Sequence, residues 1–252
     1  MFVIAAVTAA MIAILSAFNG IESVVTELFG TLDAPVAVVP QTGTVLSEDI
    51  GGWAIAQWGP DSEEPLIRHA APVIEEETVV AFGAGAPLVV TMLAFDSLLL
   101  EAAPVERALR SKTWNPEMHG LPCVTLGIGV RNMLGIGRIH EGPEHALIQF
   151  KAPIRGKKLS KHRERAFQSR EALGCDAFSI NADLDSRYVL APLSLAQDLF
   201  GLDGAVSRFE LALMPGVSEE KAAEIMSASI DAAPEAIRIR TRSEKNQLIT
   251  QT

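Results

Sequence analysis

The sequence predicts an α+β protein that carries one membrane helix at its N-terminus. Residues Phe2–Phe18 contain no charged side chain. Strand, helix and strand patterns follow one another near each end of the remaining chain, and mostly β-type patterns lie between them. Together these features predict an α+β layer that is built from both ends and interrupted by a β-rich insertion.

Composition limits the class of protein. The chain has 252 residues, of which 48% are hydrophobic, so it is globular or membrane-bound rather than disordered. A net charge of −10 argues against nucleic acid as a partner, because binding phosphates needs a cationic face. Cys123 and Cys175 lie far apart and outside any CxxC pattern, which excludes a zinc knuckle. Two small buried thiols are the favoured interpretation; a single disulfide would fit an oxidising compartment.

The uncharged run Phe2–Phe18 predicts a membrane helix. A spanning helix needs about 20 apolar residues, with about 17 as the lower limit. A secretory signal is disfavoured, since no Lys or Arg precedes the run and the run exceeds the usual apolar core of about 7–15 residues. A buried core helix is the other alternative, but helices of soluble proteins are rarely apolar all round. The start at Met1, inside the run, suggests a helix clipped at its amino end.

The predicted helix continues beyond Asn19–Gly20 as an amphipathic segment. Apolar residues then recur at helical spacing, namely Ile21, Val24, Val25 and Leu28. Gly30 is expected to end the helix, as glycine commonly does. We therefore predict a membrane helix with a continuous extension over residues 1–29 and a second domain over residues 30–252.

The second domain is predicted to alternate short strands and helices. The predicted strands are Pro35–Val39, Leu66–Ile74, Thr78–Gly83, Leu88–Phe95, His145–Lys151, Ala177–Ile180, Arg208–Leu213 and Ala236–Arg240. The predicted helices run from an N-cap at Ser47 to Trp58, over Val105–Leu109, from Ser194 to Phe200 and from Ser218 to Ile230. The first and last strands are expected to pair or neighbour each other within one layer.

Three stretches, in order along the chain, carry a family resemblance. Leu15–Ile21, LSAFNGI, is similar to the signature that closes the first membrane helix of lipoprotein-releasing (Lol-type) ABC-transporter permeases. Asp185–Leu193 followed by Ala196–Phe200 resembles another segment of the same family, and Arg240–Asn246 resembles the stretch before its second membrane helix. The chain therefore resembles an N-terminal fragment of a Lol-type permease, within the wider MacB-like group.

The resemblance implies a periplasmic domain between membrane helices one and two, anchored in the bacterial inner membrane. It implies a porter-like α+β part at about 30–80 and 200–240, and a β-rich, sabre-like insertion at about 85–195. The implied partners are a separate ABC ATPase subunit, a second permease subunit (identical or related), a periplasmic carrier and the lipid bilayer. The implied function is to couple the ATPase to periplasmic release of lipoproteins or similar cargo. The alternative hypothesis is a single-span scaffold or binding protein without a transport role.

The segment Lys151–Arg170 is unusually basic, with eight Lys or Arg residues and one acid, Glu164. Such clustering favours a contact surface for an acidic partner or lipid headgroups, although a solvated loop is the simpler alternative. Pro153 and Gly156 are typical of a hairpin tip. The resemblance places this segment where Lol-type permeases project a hook-like loop towards their carrier. The candidate partner-contact residues are Lys157, Lys158, Lys161, Arg163 and Arg165.

No pattern indicates catalysis, a cofactor or a metal, so we expect a non-enzymatic subunit. His140–His145 lacks i, i+4 spacing and contains a Gly-Pro pair that would break a metal-binding helix. Gly127–Asn132 lacks the third glycine of a dinucleotide loop and predicts the start of a short helix. Gly156–Lys158 lacks the remainder of a P-loop. The adjacent carboxylates of Glu75–Glu77 are expected to be solvated.

Overall fold

The computed structural model describes Met11 and residues 30–137, 147–154 and 167–245. The strands within these ranges are β1 (Val36–Pro40), β2 (Leu46–Ser47), β3 (Ile67–Phe82), β4 (Leu88–Phe95), β5 (Glu117–Met118), β6 (Leu121–Gly127), β7 (Leu147–Pro153), β8 (Phe167–Phe178), β9 (Tyr188–Pro192), β10 (Ala205–Val206), β11 (Arg208–Leu213) and β12 (Ile237–Thr241). The α-helices are α1 (Asp49–Trp58), α2 (Leu99–Ala102), α3 (Val105–Ala108), α4 (Ile128–Met133), α5 (Ala182–Arg187), α6 (Leu193–Phe200) and α7 (Glu219–Ser229). The predicted α+β class is confirmed.

The two ends of the described domain meet in one sheet. β1 pairs antiparallel with both β11 and β12, and Val36 lies opposite Leu211 on one side and Thr241 on the other. The pairing continues past the strand ends, since the Arg242 amide donates to the Pro35 carbonyl at 2.9 Å. The prediction that the first and last strands neighbour each other is confirmed.

β3 is one strand of 16 residues where the sequence predicted two shorter ones. Its first part pairs with β11 from Ile67 to Val73, and its last part pairs with β7 from Val79 to Phe82. Along its other edge β4 pairs continuously from Val73 to Val80. The continuous β4 pairing holds the polar stretch around Glu75–Glu77 in strand geometry, so the two predicted strands merge.

The pairing β3–β4–β9–β6–β8–β7 returns to β3 and closes a ring of six strands. Alternate side chains of each strand point to the inside of such a ring. On β7, Ile148, Phe150 and Ala152 are fully buried, whereas the residues between them are more exposed. β3 thus belongs to both the β12–β1–β11 layer and the closed ring.

Helices cover both faces of the layer. On one face, Ile50 of α1 and Met226 of α7 join the same buried cluster as Val36 and Ile237. On the opposite face, α2 and α3 build a second apolar cluster, in which the rings of Phe95 and Trp114 lie 4.5 Å apart. The short helix predicted to begin at Gly127 is present as α4.

Cys123 on β6 and Cys175 on β8 form a disulfide with a Cα–Cα distance of 5.6 Å. The prediction of two free thiols was therefore wrong. The two residues are 52 positions apart, but β6 and β8 are parallel neighbours whose register shifts after Val124. This shift brings Cys175 beside Cys123, a consequence of tertiary pairing that spacing alone does not predict.

No helix within the described ranges is both long and apolar enough to span a bilayer. The predicted membrane helix and its extension, residues 1–29, lie outside the described residues except for Met11.

Candidate functional site

The five predicted partner-contact residues, Lys157, Lys158, Lys161, Arg163 and Arg165, lie outside the described residues. The strands on either side of them are described. β7 and β8 pair antiparallel, with Lys151 opposite Ser169 and Pro153 opposite Phe167. Residues 154–166 therefore connect two neighbouring antiparallel strands of the six-stranded ring.

The last residues of the basic segment, which are described, contact α6. The Gln168 side-chain amide donates to the Asp198 carbonyl, and Arg170 Nε lies 3.9 Å from Asp198 Oδ2. Both charged side chains are exposed, at 40% and 68%, so this ion pair contributes little to stability. Its main consequence is that the start of β8 lies against the C-terminal half of α6.

The sequence analysis missed a second group of charges, of which Asp33, Arg208 and Glu210 are buried and two more are partly buried. We call Asp33, Glu75, Arg208, Glu210 and Lys245 the charged cluster. The Arg208 side chain pairs with three carboxylates, through Nε at 2.5 Å from Glu210, through a guanidinium nitrogen 3.3 Å from Asp33, and through a further contact with Glu75. Lys245 Nζ lies 2.6 Å from Asp33 and 3.9 Å from Glu75.

Local strand geometry explains how these long side chains come together. Arg208 and Glu210 are two residues apart on β11 and therefore point to the same face of the sheet. The cross-strand row on that face places Ala37 between Glu210 and Arg240. A small residue in the middle of the row leaves room for the charged side chains on both sides.

The carboxylates also accept hydrogen bonds from neutral groups. The Ala34 amide donates to Glu210 at 2.9 Å, and the Tyr188 hydroxyl donates to Glu75 at 2.8 Å. The Glu75 amide donates to Ser207 Oγ at 3.0 Å. The cluster thus links the residues before β1 with β3, β9 and β11.

Within the cluster, Glu75 and Arg208 are charged at neutral pH. Burial alone would raise the pKa of Glu75, but the charges of Arg208 and Lys245, with the hydrogen bond from Tyr188, hold that pKa well below its ordinary value of 4.5. Burial would lower the pKa of Arg208, but Glu75, Glu210 and Asp33 raise it. Burial and the neighbouring Glu75 carboxylate raise the pKa of Tyr188, so its hydroxyl stays a donor.

The prediction that Glu75–Glu77 are all solvated was wrong for Glu75, whose side chain is 20% exposed. Glu77 is exposed as expected. The alternation of side chains along a strand could have indicated this site. Arg208 and Glu210 are charged residues within an otherwise apolar strand, and residues two positions apart share one face.

The segment Asp185–Phe200, which carried part of the family resemblance, supports this site. Asp185 is buried and accepts hydrogen bonds from the Ser179 hydroxyl and the Ile180 amide, both at 2.8 Å. Gly127 packs so closely that a Cβ there would lie 2.2 Å from the Asp185 carbonyl oxygen. The motif therefore holds the end of β6 and positions Tyr188, at the start of β9, beside Glu75.

The arrangement is suited to holding chain segments together. Each carboxylate of the cluster forms an ion pair with a cation. The acids are therefore poorly placed to transfer protons to a ligand. Within the described residues, no group of three or more His, Cys, Asp or Glu side chains could hold a metal ion.

One solved structure shares this fold, and a second is similar over much of its length. The periplasmic region of MacB from Actinobacillus actinomycetemcomitans matches with a TM-score of 0.52 and 10% identity, covering 91% of this chain and 99% of that one. The extracellular domain of the ABC-type transporter YknZ from Gram-positive bacteria matches with a TM-score of 0.49 and 8% identity, over 82% and 99% of the two chains. No family model and no curated protein matches the sequence. At 10% identity the MacB match shows a shared fold.

The low pKa of Glu75 predicts how stability depends on pH. A carboxylate whose pKa is depressed by folding stabilises the protein above its unfolded pKa, near 4.5, and this contribution is lost as pH falls towards the folded pKa. At pH 7 we expect Glu75→Gln to reduce the free energy of unfolding by on the order of 2 kcal/mol, as for other charged hydrogen-bonded groups. The difference should shrink below pH 4.5.

Urea unfolding between pH 3 and pH 7 measures this dependence. Glu77→Gln, an exposed neighbour on the same strand, is the matched control and should change stability by less than about 0.5 kcal/mol. Equal effects of the two substitutions at every pH would contradict the assignment of Glu75 to the charged cluster.

Proposed function

We propose that this chain is part of the permease subunit of an ABC transporter, with residues 30–252 forming a domain outside the bacterial cytoplasm. The observation that carries the proposal is the fold shared with the periplasmic region of MacB, which extends over 91% of this chain and 99% of that one. The order of the three resembling stretches, from Leu15–Ile21 to Arg240–Asn246, supports it independently.

The two ends of the described domain lie where they would in a domain inserted between two membrane helices. β1 and β12 are neighbours, and Pro35 and Arg242 are joined by a backbone hydrogen bond. Both ends therefore leave the sheet at the same place, where one membrane surface could receive them. In the proposed arrangement, residues 1–29 form the helix that crosses the inner membrane and its periplasmic extension.

The disulfide between Cys123 and Cys175 supports the periplasm as the location. Disulfides persist in oxidising compartments and are rare in the reducing cytosol. This argument rests on chemistry and is independent of the shared fold.

We further propose the division into a porter-like part, residues 30–80 and 200–240, and a sabre-like insertion, residues 85–195. The β12–β1–β11 layer draws on both ends of the chain, whereas β4, β6, β7, β8 and β9 come from its middle. β3 crosses from one part to the other without a break. β3 and the shared apolar core would therefore pass motion of the layer to the six-stranded ring.

In this proposal a separate ATPase and a second permease subunit complete the transporter, and the domain couples ATP hydrolysis to periplasmic release of lipoproteins or similar cargo. Support for lipoprotein cargo comes from the Lol-type resemblance of Leu15–Ile21 and Asp185–Phe200. The alternative, a single-span scaffold, would have the same domain but no ATPase.

Affinity purification of the full-length protein from native membranes in mild detergent tests the proposal. We expect an ABC ATPase subunit to copurify at a stoichiometric ratio, and the complex to hydrolyse Mg-ATP. An untagged strain is the control. Recovery of the tagged protein intact but without any ABC ATPase would contradict the transporter assignment and favour the scaffold.

Location is checked on the same protein with Asp61→Cys, an exposed position. The native cysteines are paired, so a membrane-impermeant thiol reagent added to spheroplasts should label only the new thiol. Protection of that thiol until the membrane is opened would place the domain in the cytoplasm.

We also propose that the basic residues between β7 and β8 contact a periplasmic carrier. The antiparallel pairing of β7 with β8 supports a projecting connection, and clustered charge mainly accelerates and orients association. If these side chains contact the carrier as proposed, replacing Lys157, Lys158, Arg163 and Arg165 with Ser should leave thermal stability unchanged, because charges in contact with solvent contribute little to stability. Photocrosslinks from a reactive residue at Leu159 to a soluble carrier should fall, most strongly at low salt.

The control removes the same amount of charge at exposed sites elsewhere. It replaces Arg107, Arg110, Arg187 and Arg238 with Ser. An equal loss of crosslinking in the control would show that the effect depends on the net charge of the protein and not on the position of the basic residues. Crosslinks that form only from residues 21–28 would move the contact next to the membrane.

A further inference from the structure

We infer that Lys245 is a latch: by binding Asp33 and Glu75 it holds the C-terminal segment (residues 242–245) against the N-terminal segment (residues 30–35), and its release alters the junction between β3 and the six-stranded ring. The inference goes beyond the proposed function, since it concerns how the chain ends are coupled to the ring, whatever moves them.

Lys245 differs from Arg208 in how firmly it is held. The Arg208 side chain is 5% exposed and has three carboxylate partners. The Lys245 side chain is 18% exposed and has one close partner, Asp33 at 2.6 Å, with Glu75 more distant at 3.9 Å. Arg208 is therefore a fixed part of the sheet, whereas the ammonium of Lys245 can exchange its partners for water at smaller cost.

Lys245 belongs to a short segment that continues the sheet at its first residue, where the Arg242 amide donates to the Pro35 carbonyl at 2.9 Å. Residues 242–245 are helical and follow directly on β12. Glu219 at the start of α7 accepts hydrogen bonds from the Ser243 amide at 3.2 Å and hydroxyl at 3.1 Å. These contacts are exposed. Beyond Arg242, the segment is attached to the buried face by Lys245, through its hydrogen bond to Asp33 and its longer ion pair with Glu75.

The charge arrangement favours the closed latch. Asp33, Glu75 and Glu210 face one buried guanidinium, that of Arg208. Lys245 supplies the second positive charge in direct contact, while Arg240, in the same cross-strand row, acts on these carboxylates without a direct ion pair. Departure of Lys245 would leave Arg208 as the cation that Asp33, Glu75 and Glu210 contact directly. A partly buried carboxylate that loses a cation is destabilised, so removal of Lys245 from this position is unfavourable.

Glu75 places the latch at the point where β3 changes partners. The β11 pairing ends at Val73, and the β7 pairing begins at Val79. The Glu75 carboxylate also accepts a hydrogen bond from the hydroxyl of Tyr188, which lies on β9, a strand of the ring. Lys245, Glu75 and Tyr188 therefore form a continuous polar connection from the C-terminal segment to the ring.

Tyr188 is the one tyrosine of this sequence. In a tyrosine-labelled sample, its NMR resonance can therefore be identified without assigning the whole spectrum. We would measure the ¹³C resonance of labelled tyrosine, and hydrogen exchange by mass spectrometry, on the full chain in detergent without ATPase or cargo. Lys245→Met should shift the tyrosine resonance. It should also lower amide protection in residues 30–35 and in β12 about tenfold, which corresponds to about 1.4 kcal/mol.

Lys221→Met is the matched control, because Lys221 makes an exposed ion pair with Glu64 at 3.8 Å. It should change neither signal, and Lys245→Arg, which keeps the charge, should restore most of the protection. The latch is refuted if Lys245→Met leaves both signals at their wild-type values. It is equally refuted if protection falls by the same factor throughout the ring, which would indicate general destabilisation. Neither result bears on whether an ATPase binds the protein.

Discussion

Arg208 carries a positive charge into the interior of the sheet, where its side chain is almost inaccessible to water. Burial of an unpaired guanidinium is prohibitively costly, so the fold must supply anions around it. Those anions come from three separate parts of the chain: Asp33 before β1, Glu75 on β3 and Glu210 on β11. The charge is compensated only when β1, β11 and β3 have their observed positions and register. One buried cation thereby contacts three separate segments at the centre of the sheet.

The same requirement connects the sheet to the rest of the molecule. Glu75 lies on the strand that enters the six-stranded ring, and Lys245 brings the end of the described chain back to Asp33. The disulfide between β6 and β8 fixes the ring on its far side. The two adjacent ends of the described domain are thus connected to the ring through β3, an arrangement that fits the permease role that we propose.

Local patterns were sufficient to predict much of this architecture. Apolar runs bounded by Pro and Gly located β1, β4, β11 and β12, and the Ser218 cap located α7, because these signals lie within a few neighbouring residues. Features created by tertiary pairing were missed. Neither the continuity of β3 nor the disulfide is encoded by nearby residues, and Glu75 looked like a solvated acid because its cations, Arg208 and Lys245, lie more than 130 positions away. The basic segment and the membrane helix remain predictions.

Removing the charge of Arg208 tests most directly whether this buried guanidinium organises the domain. We expect Arg208→Met to reduce the free energy of urea unfolding by about 3–5 kcal/mol at pH 7, since three carboxylates would lose their shared cation. Arg238→Met, on the exposed side of β12, removes the same charge and should change stability by less than about 0.5 kcal/mol. An Arg208→Met protein that unfolds at the same urea concentration as the wild type would show that apolar packing alone holds β1, β3 and β11 together.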